Sequence, residues 1–180
     1  MKSTYIRKTH SKGHIFEISW SFATEWIRAV DMFQYRLYNE LPEDEKFFNG
    51  YGFRYNVDFH CYLISLNRLR RAIQLAYKQI DDSNDKQRIG KAIKEFDKNI
   101  PSLAMYRNVG EHFDDYILQK GHNNTVESSS LRVYQVVTNN NEEQVFKWMG
   151  TEINIKQATK EAYKLYKIFV IWYNEKLKID

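Results

Sequence analysis

Between Asn56 and Ile80 the apolar residues Phe59, Tyr62, Leu66, Leu69, Ile73, Ala76 and Ile80 recur every three or four positions. That spacing lines up one face of an α-helix through about six turns, whereas a strand would scatter the same residues over both faces. Asn56 supplies a side-chain acceptor of the kind that starts a helix. A face this long and this apolar is stable only when other elements cover it, and neighbours with the same period make the covering layer helical. The stretch therefore predicts a long helix within a helical bundle.

The neighbours repeat the pattern. Ile15 to Glu40 reads as a helix with Phe22, Trp26, Ala29, Phe33 and Leu37 as its expected buried stripe, stopped by Leu41-Pro42. Pro42 to Tyr55, with Gly50 and Gly52, reads as a loop. Asp81-Asp82-Ser83-Asn84 ends the central helix and caps the next, where Ile89, Ala92, Ile93, Phe96 and Ile100 form the apolar side and Lys91, Lys94 and Lys98 the wet one. After Pro101 a further helix is expected over Ser102 to Lys120, ending at Gly121. Its Leu103, Tyr106, Gly110, Phe113 and Ile117 face the core, and Met105, Val109, His112 and Tyr116 make a second stripe. A helix buried on two sides is what a homodimer interface requires.

Residues 122–130 are Asn- and Ser-rich and read as a loop. Leu131 to Val137 and Gln144 to Met149 are rich in β-branched and aromatic residues around Asn139-Asn140-Asn141, which predicts a β-hairpin inserted at about 131–149 and docked on the bundle. Asn154 with Gln157 is a capping-box pattern for the last helix, with Ile155, Ala158, Ala162, Leu165, Phe169 and Trp172 on its packed side. The expected class is all-α: an up-and-down bundle of about five helices with an inserted hairpin, one domain over 15–180 behind a basic arm at 1–14.

A chain of 180 residues is long enough to bury about 70% of its unfolded surface without a cross-link. Its single cysteine, Cys61, excludes an internal disulfide and suits a reducing compartment. With no apolar signal core in residues 1–14 and no bilayer-length apolar run, a cytoplasmic location and no membrane association are expected, which makes the Asn123-Asn124-Thr125 sequon accidental. The net charge of +4 arises in the arm, from Lys2, Arg7, Lys8 and Lys12, and such an arm reads first as a solvated terminus.

Uncommon chemistry concentrates at Met105 to Tyr116. Arg107 offers a planar cationic fork suited to phosphate, and His112 a proton donor or acceptor near neutral pH, so the two can work on a phosphodiester without a metal. The plainer alternative is an Arg107–Glu111 surface pair of about 0.3 to 0.5 kcal/mol, with His112 covering the edge of an apolar stripe. Elsewhere the signals are weak. Asp58, His60 and Cys61 are metal-capable types without a metal-site spacing. Arg68, Arg70 and Arg71 read as rim charges pointing different ways around their helix. No P-loop, GxGxxG or GxSxG occurs, which removes support for triphosphate hydrolysis, dinucleotide chemistry and the common hydrolase elbow.

Arg107-Asn108-x-x-x-His112 in the penultimate helix of a bundle resembles the HEPN superfamily, whose signature is an arginine, a polar residue and then a histidine. The acid-rich continuation through Glu111, Asp114, Asp115 and Tyr116 is also similar to that group. The resemblance covers roughly residues 15 to 120 and 154 to 178; the hairpin, the basic arm and Gly110 inside the motif depart from the pattern. It implies metal-independent cleavage of RNA at a composite homodimer site, in a toxin or phage-defence role, without a cofactor. Arg107 would clamp phosphate, His112 transfer protons and Asn108 orient, with Glu111, Asp115 and Tyr116 around the substrate. It also implies two alternatives: an inactive interaction or nucleic-acid-binding module, and a partner of a nucleotidyltransferase antitoxin that modifies a tyrosine such as Tyr116. Positions 107 and 112 lie about 140° apart on a straight helix, so a distortion or a second protomer must bring them to one atom.

Overall fold

The long helix expected from the sequence is present in a computed structural model, which describes residues 11–39, 51–106, 118, 120, 134–138, 143–148 and 151–177. Helix α1 spans Lys12–Asn39, α2 Tyr51–Tyr77 and α3 Ser83–Asn99. Strands β1 (Tyr134–Thr138), β2 (Gln144–Trp148) and β3 (Thr151–Asn154) follow, and α4 spans Ile155–Leu177. The described residues are mostly helical.

All seven apolar positions read from α2 and its exit are buried at 4% exposure or less. α1 and α4 pack on α2, and α3 packs on α4. The Asp82 carboxylate accepts from the Asp85 N–H and caps α3, and the apolar side of α3 is buried as its spacing predicts. Gly90 lets the Tyr77 ring sit against α3, since a Cβ there would come within 3.0 Å of it. α4 buries the six residues expected of it.

Several boundaries and one face differ from the sequence reading. α2 begins at Tyr51, inside the stretch read as a loop, so Gly52 and Asn56 are helical and Asn56 is not the cap. α1 begins at Lys12, and the residues assigned to the end of the arm are helical; Lys12 pairs with Asp81. The buried face of α1 is Ser19, Ala23, Ile27, Val30 and Leu37, while Phe22 is 48% exposed and Trp26, Ala29 and Phe33 are half-buried. Small Ser19 and Ala23, both at 0%, let backbones approach closely, and the larger aromatic rings straddle the contact instead of entering it.

The hairpin is the first part of a three-stranded antiparallel sheet in the order β1-β2-β3. Its register pairs Tyr134 with Trp148 and Val136 with Phe146, and on the other side Phe146 with Ile153. β3 is absent from the sequence reading. Asn154 ends β3 and its side chain accepts from the Gln157 N–H, so one residue closes the sheet and caps α4. Gln157 bonds Glu161 rather than returning to the cap, so the box is half formed. After Pro101 the chain is helical over 103–106, with Leu103 and Tyr106 buried as expected. Leu118 is in a turn and 62% exposed, and the rest of the helix expected over 102–120, from 107 on, lies outside the described residues apart from Lys120. Gly110, Phe113 and Ile117, residues 122–133, and the arm at 1–10 lie outside the described residues.

Candidate functional site

Arg107, Asn108, Glu111, His112, Asp115 and Tyr116 all lie outside the described residues, as do Val109 and Asp114. What is described is the root from which they extend. Tyr106 is 2% exposed. Its ring lies parallel to Trp148, with centroids 5.4 Å apart, and meets the Phe59 ring edge-on at 6.3 Å. Its hydroxyl donates to the Thr151 carbonyl at 3.1 Å and accepts from the Thr151 hydroxyl at 2.8 Å. Burial pushes the Tyr106 phenol up, against the lowering effect of the Thr151 hydrogen bond. Phe59 stacks on Phe146, tying α2 to β2 beneath the same tyrosine. Sheet and central helix thus converge on the residue preceding Arg107.

The residues Asp58, His60 and Cys61 do not form a ligand set. Asp58, 5% exposed, is held by Arg36 in a two-point pair, Nε to Oδ2 at 3.1 Å and Nη2 to Oδ1 at 3.0 Å. His60 meets the Trp148 ring edge-on. Burial, then the neighbouring Asp58 carboxylate, push the Cys61 thiol up and away from the reactive thiolate. Among the described residues no three His, Cys, Asp or Glu side chains cluster as a metal would require, and no helix is long and apolar enough to cross a membrane.

The arginines of α2 separate. Arg70 is committed to Asp97 through two bonds of 2.5 and 2.6 Å and to Gln74 at 2.8 Å. Arg68 and Arg71 are exposed and line an open groove of about 380 Å³ between α1 and α2, together with Lys78, Leu75, Phe22 and Trp26. Among the described residues no carboxylate lines it. The sequence carries the signal: Ile64, Arg68, Arg71, Leu75 and Lys78 recur every three or four residues beside the core stripe, so a single side of α2 presents them. Arg68, Arg70 and Arg71 do not all point different ways, because positions 68 and 71 lie about 60° apart. A second cavity of about 500 Å³, at the start of α1, holds Asp81, Asp82, Asp85, Lys12 and Lys176. Both of its lysines are paired within it, Lys12 with Asp81 and Lys176 with Asp85 at 2.6 Å.

No family model, no characterised protein and no solved structure matches this chain.

Proposed function

We propose that the chain is a HEPN-like, metal-independent endoribonuclease, active as a homodimer, with Arg107 as phosphate clamp, His112 as proton-transfer group and Asn108 as the polar group that orients them. The observation that carries this reading is the anchoring of Tyr106. Arg107 and Asn108 follow within two residues of a side chain fixed by the Trp148 stack and the Thr151 hydrogen bonds. A phosphate clamp needs such a root, because misplacement by about 1 Å can cost two orders of magnitude in rate. In the reaction the ribose 2′-hydroxyl loses its proton and attacks the adjacent phosphorus, the P–O5′ bond breaks to leave a 2′,3′-cyclic phosphate, and the departing 5′-oxygen takes up a proton. His112 takes or delivers the proton, and Arg107 offsets the added charge on the phosphoryl oxygens.

The test is substitution in the folded protein. His112→Ala should lower the cleavage rate by about two to four orders of magnitude, and Arg107→Lys should fail because an ammonium lacks the guanidinium fork. Full cleavage by both variants would contradict this site, and absence of cleavage by the unaltered protein returns the chain to its alternative reading, a nucleic-acid-binding module, which the cationic, aromatic groove between α1 and α2 favours.

A further inference from the structure

We propose that the α1–α2 groove binds an unpaired nucleic-acid strand, with Arg68, Arg71 and Lys78 on its phosphates and Phe22 and Trp26 against its bases. The inference stands on the groove's own residues and does not require that the protein cleave RNA. Three cations line it without a carboxylate among the described residues, and neither arginine is in an ion pair with a described residue. Arg70, two residues from Arg68, shows the contrasting case of a guanidinium already neutralised by Asp97. Unneutralised cations on one side of a helix fit a polyanion. The opposite wall decides which polyanion. Phe22 stands 48% exposed and Trp26 is half-buried beside it, although aromatic side chains of this size normally go to the core. Aromatic faces beside phosphate-binding cations are the pairing that single strands require, because unstacked bases offer ring faces that a duplex hides.

The experiment is fluorescence anisotropy of the full chain with a labelled, 2′-O-methylated RNA single strand of about 12 nucleotides. A 2′-O-methyl strand cannot be cut through its ribose hydroxyl, so binding is read separately from any cleavage, and loss of the nuclease reading leaves this result untouched. Binding is expected to weaken with salt at a log–log slope of about −2, as about three phosphate contacts on a single strand give. Arg68→Glu with Arg71→Glu should weaken it at least about tenfold, and Phe22→Ala, at an exposed position, should weaken it about tenfold with an unchanged circular dichroism spectrum. The same sequence presented as a duplex should bind more weakly. Unchanged affinity in the double arginine variant overturns the proposal and moves the strand elsewhere. Equal affinity for heparin together with indifference to Phe22→Ala reduces the groove to a charge patch and also overturns it. Competition by polyglutamate as strong as by the unlabelled strand assigns the groove to an acidic protein partner, a third contrary result.

Discussion

Tyr106 has two roles that substitution can separate. Its ring fills the space between Phe59, Phe146 and Trp148, and its hydroxyl ties that ring to the start of β3. Tyr106→Phe keeps the ring and leaves the Thr151 groups short of a partner, which should cost about 1 kcal/mol in urea unfolding. In the proposed nuclease it should also lower the cleavage rate, because Arg107 is the next residue. The buried phenols set a second expectation. Burial raises Tyr62, which is fully buried and donates to the Ile155 carbonyl at 2.8 Å, and burial likewise raises Tyr106. A phenol whose folded pKa lies above its unfolded value of about 10 contributes stability that is whole below that pH and is lost as pH rises through the folded value. The unfolding midpoint should therefore fall from about pH 10 upward, with the buried phenols' share of the tyrosinate absorbance appearing together with unfolding. Free titration of every tyrosine in a still-folded protein would contradict this.

At the scale of elements, what was legible is what burial dictates completely. α2, α3 and α4 each bury one uninterrupted stripe, so period and core coincide and Phe59, Phe96 and Phe169 fall where the spacing puts them. α1 has two apolar stripes, and hydrophobicity alone favours the wrong one: large Phe22 and Trp26 outweigh small Ser19 and Ala23, yet only the small residues let α1 approach its neighbours. β3 was illegible for its length. Four residues separated from β2 by Met149-Gly150 carry little periodic signal, though Glu152 outward and Ile153 inward do alternate. The motif at 107–116 lies outside the described residues, and its spacing alone does not give its geometry, because an arginine and a histidine five residues apart face different ways on a straight helix. The sheet's attachment is open to measurement. Phe146 is 1% and Trp148 5% exposed, and β2 is bonded on both sides. The amides of 144–148 should therefore exchange with protection near that of α2. Fast exchange there in the intact protein would mean that the sheet is an undocked flap.

Across the whole molecule the described surface divides by charge. At the start of α1, acids and lysines pair with one another; between α1 and α2, cations face solvent beside aromatic rings; and β2 with α2 fixes the root of the Arg107–His112 segment. Helices supply the frame, and the sheet locks one point of it. The central proposal is a ribonuclease site that uses Arg107, Asn108 and His112 and no metal. It is tested most directly by analysing the ends of RNA cut by the purified protein in excess EDTA, beside its His112→Ala variant. The account predicts cleavage that EDTA leaves unchanged, 2′,3′-cyclic phosphate on the upstream fragment because the ribose hydroxyl is the nucleophile, and loss of both in the variant. Cleavage that stops with EDTA, or that persists in the His112→Ala protein, would contradict it.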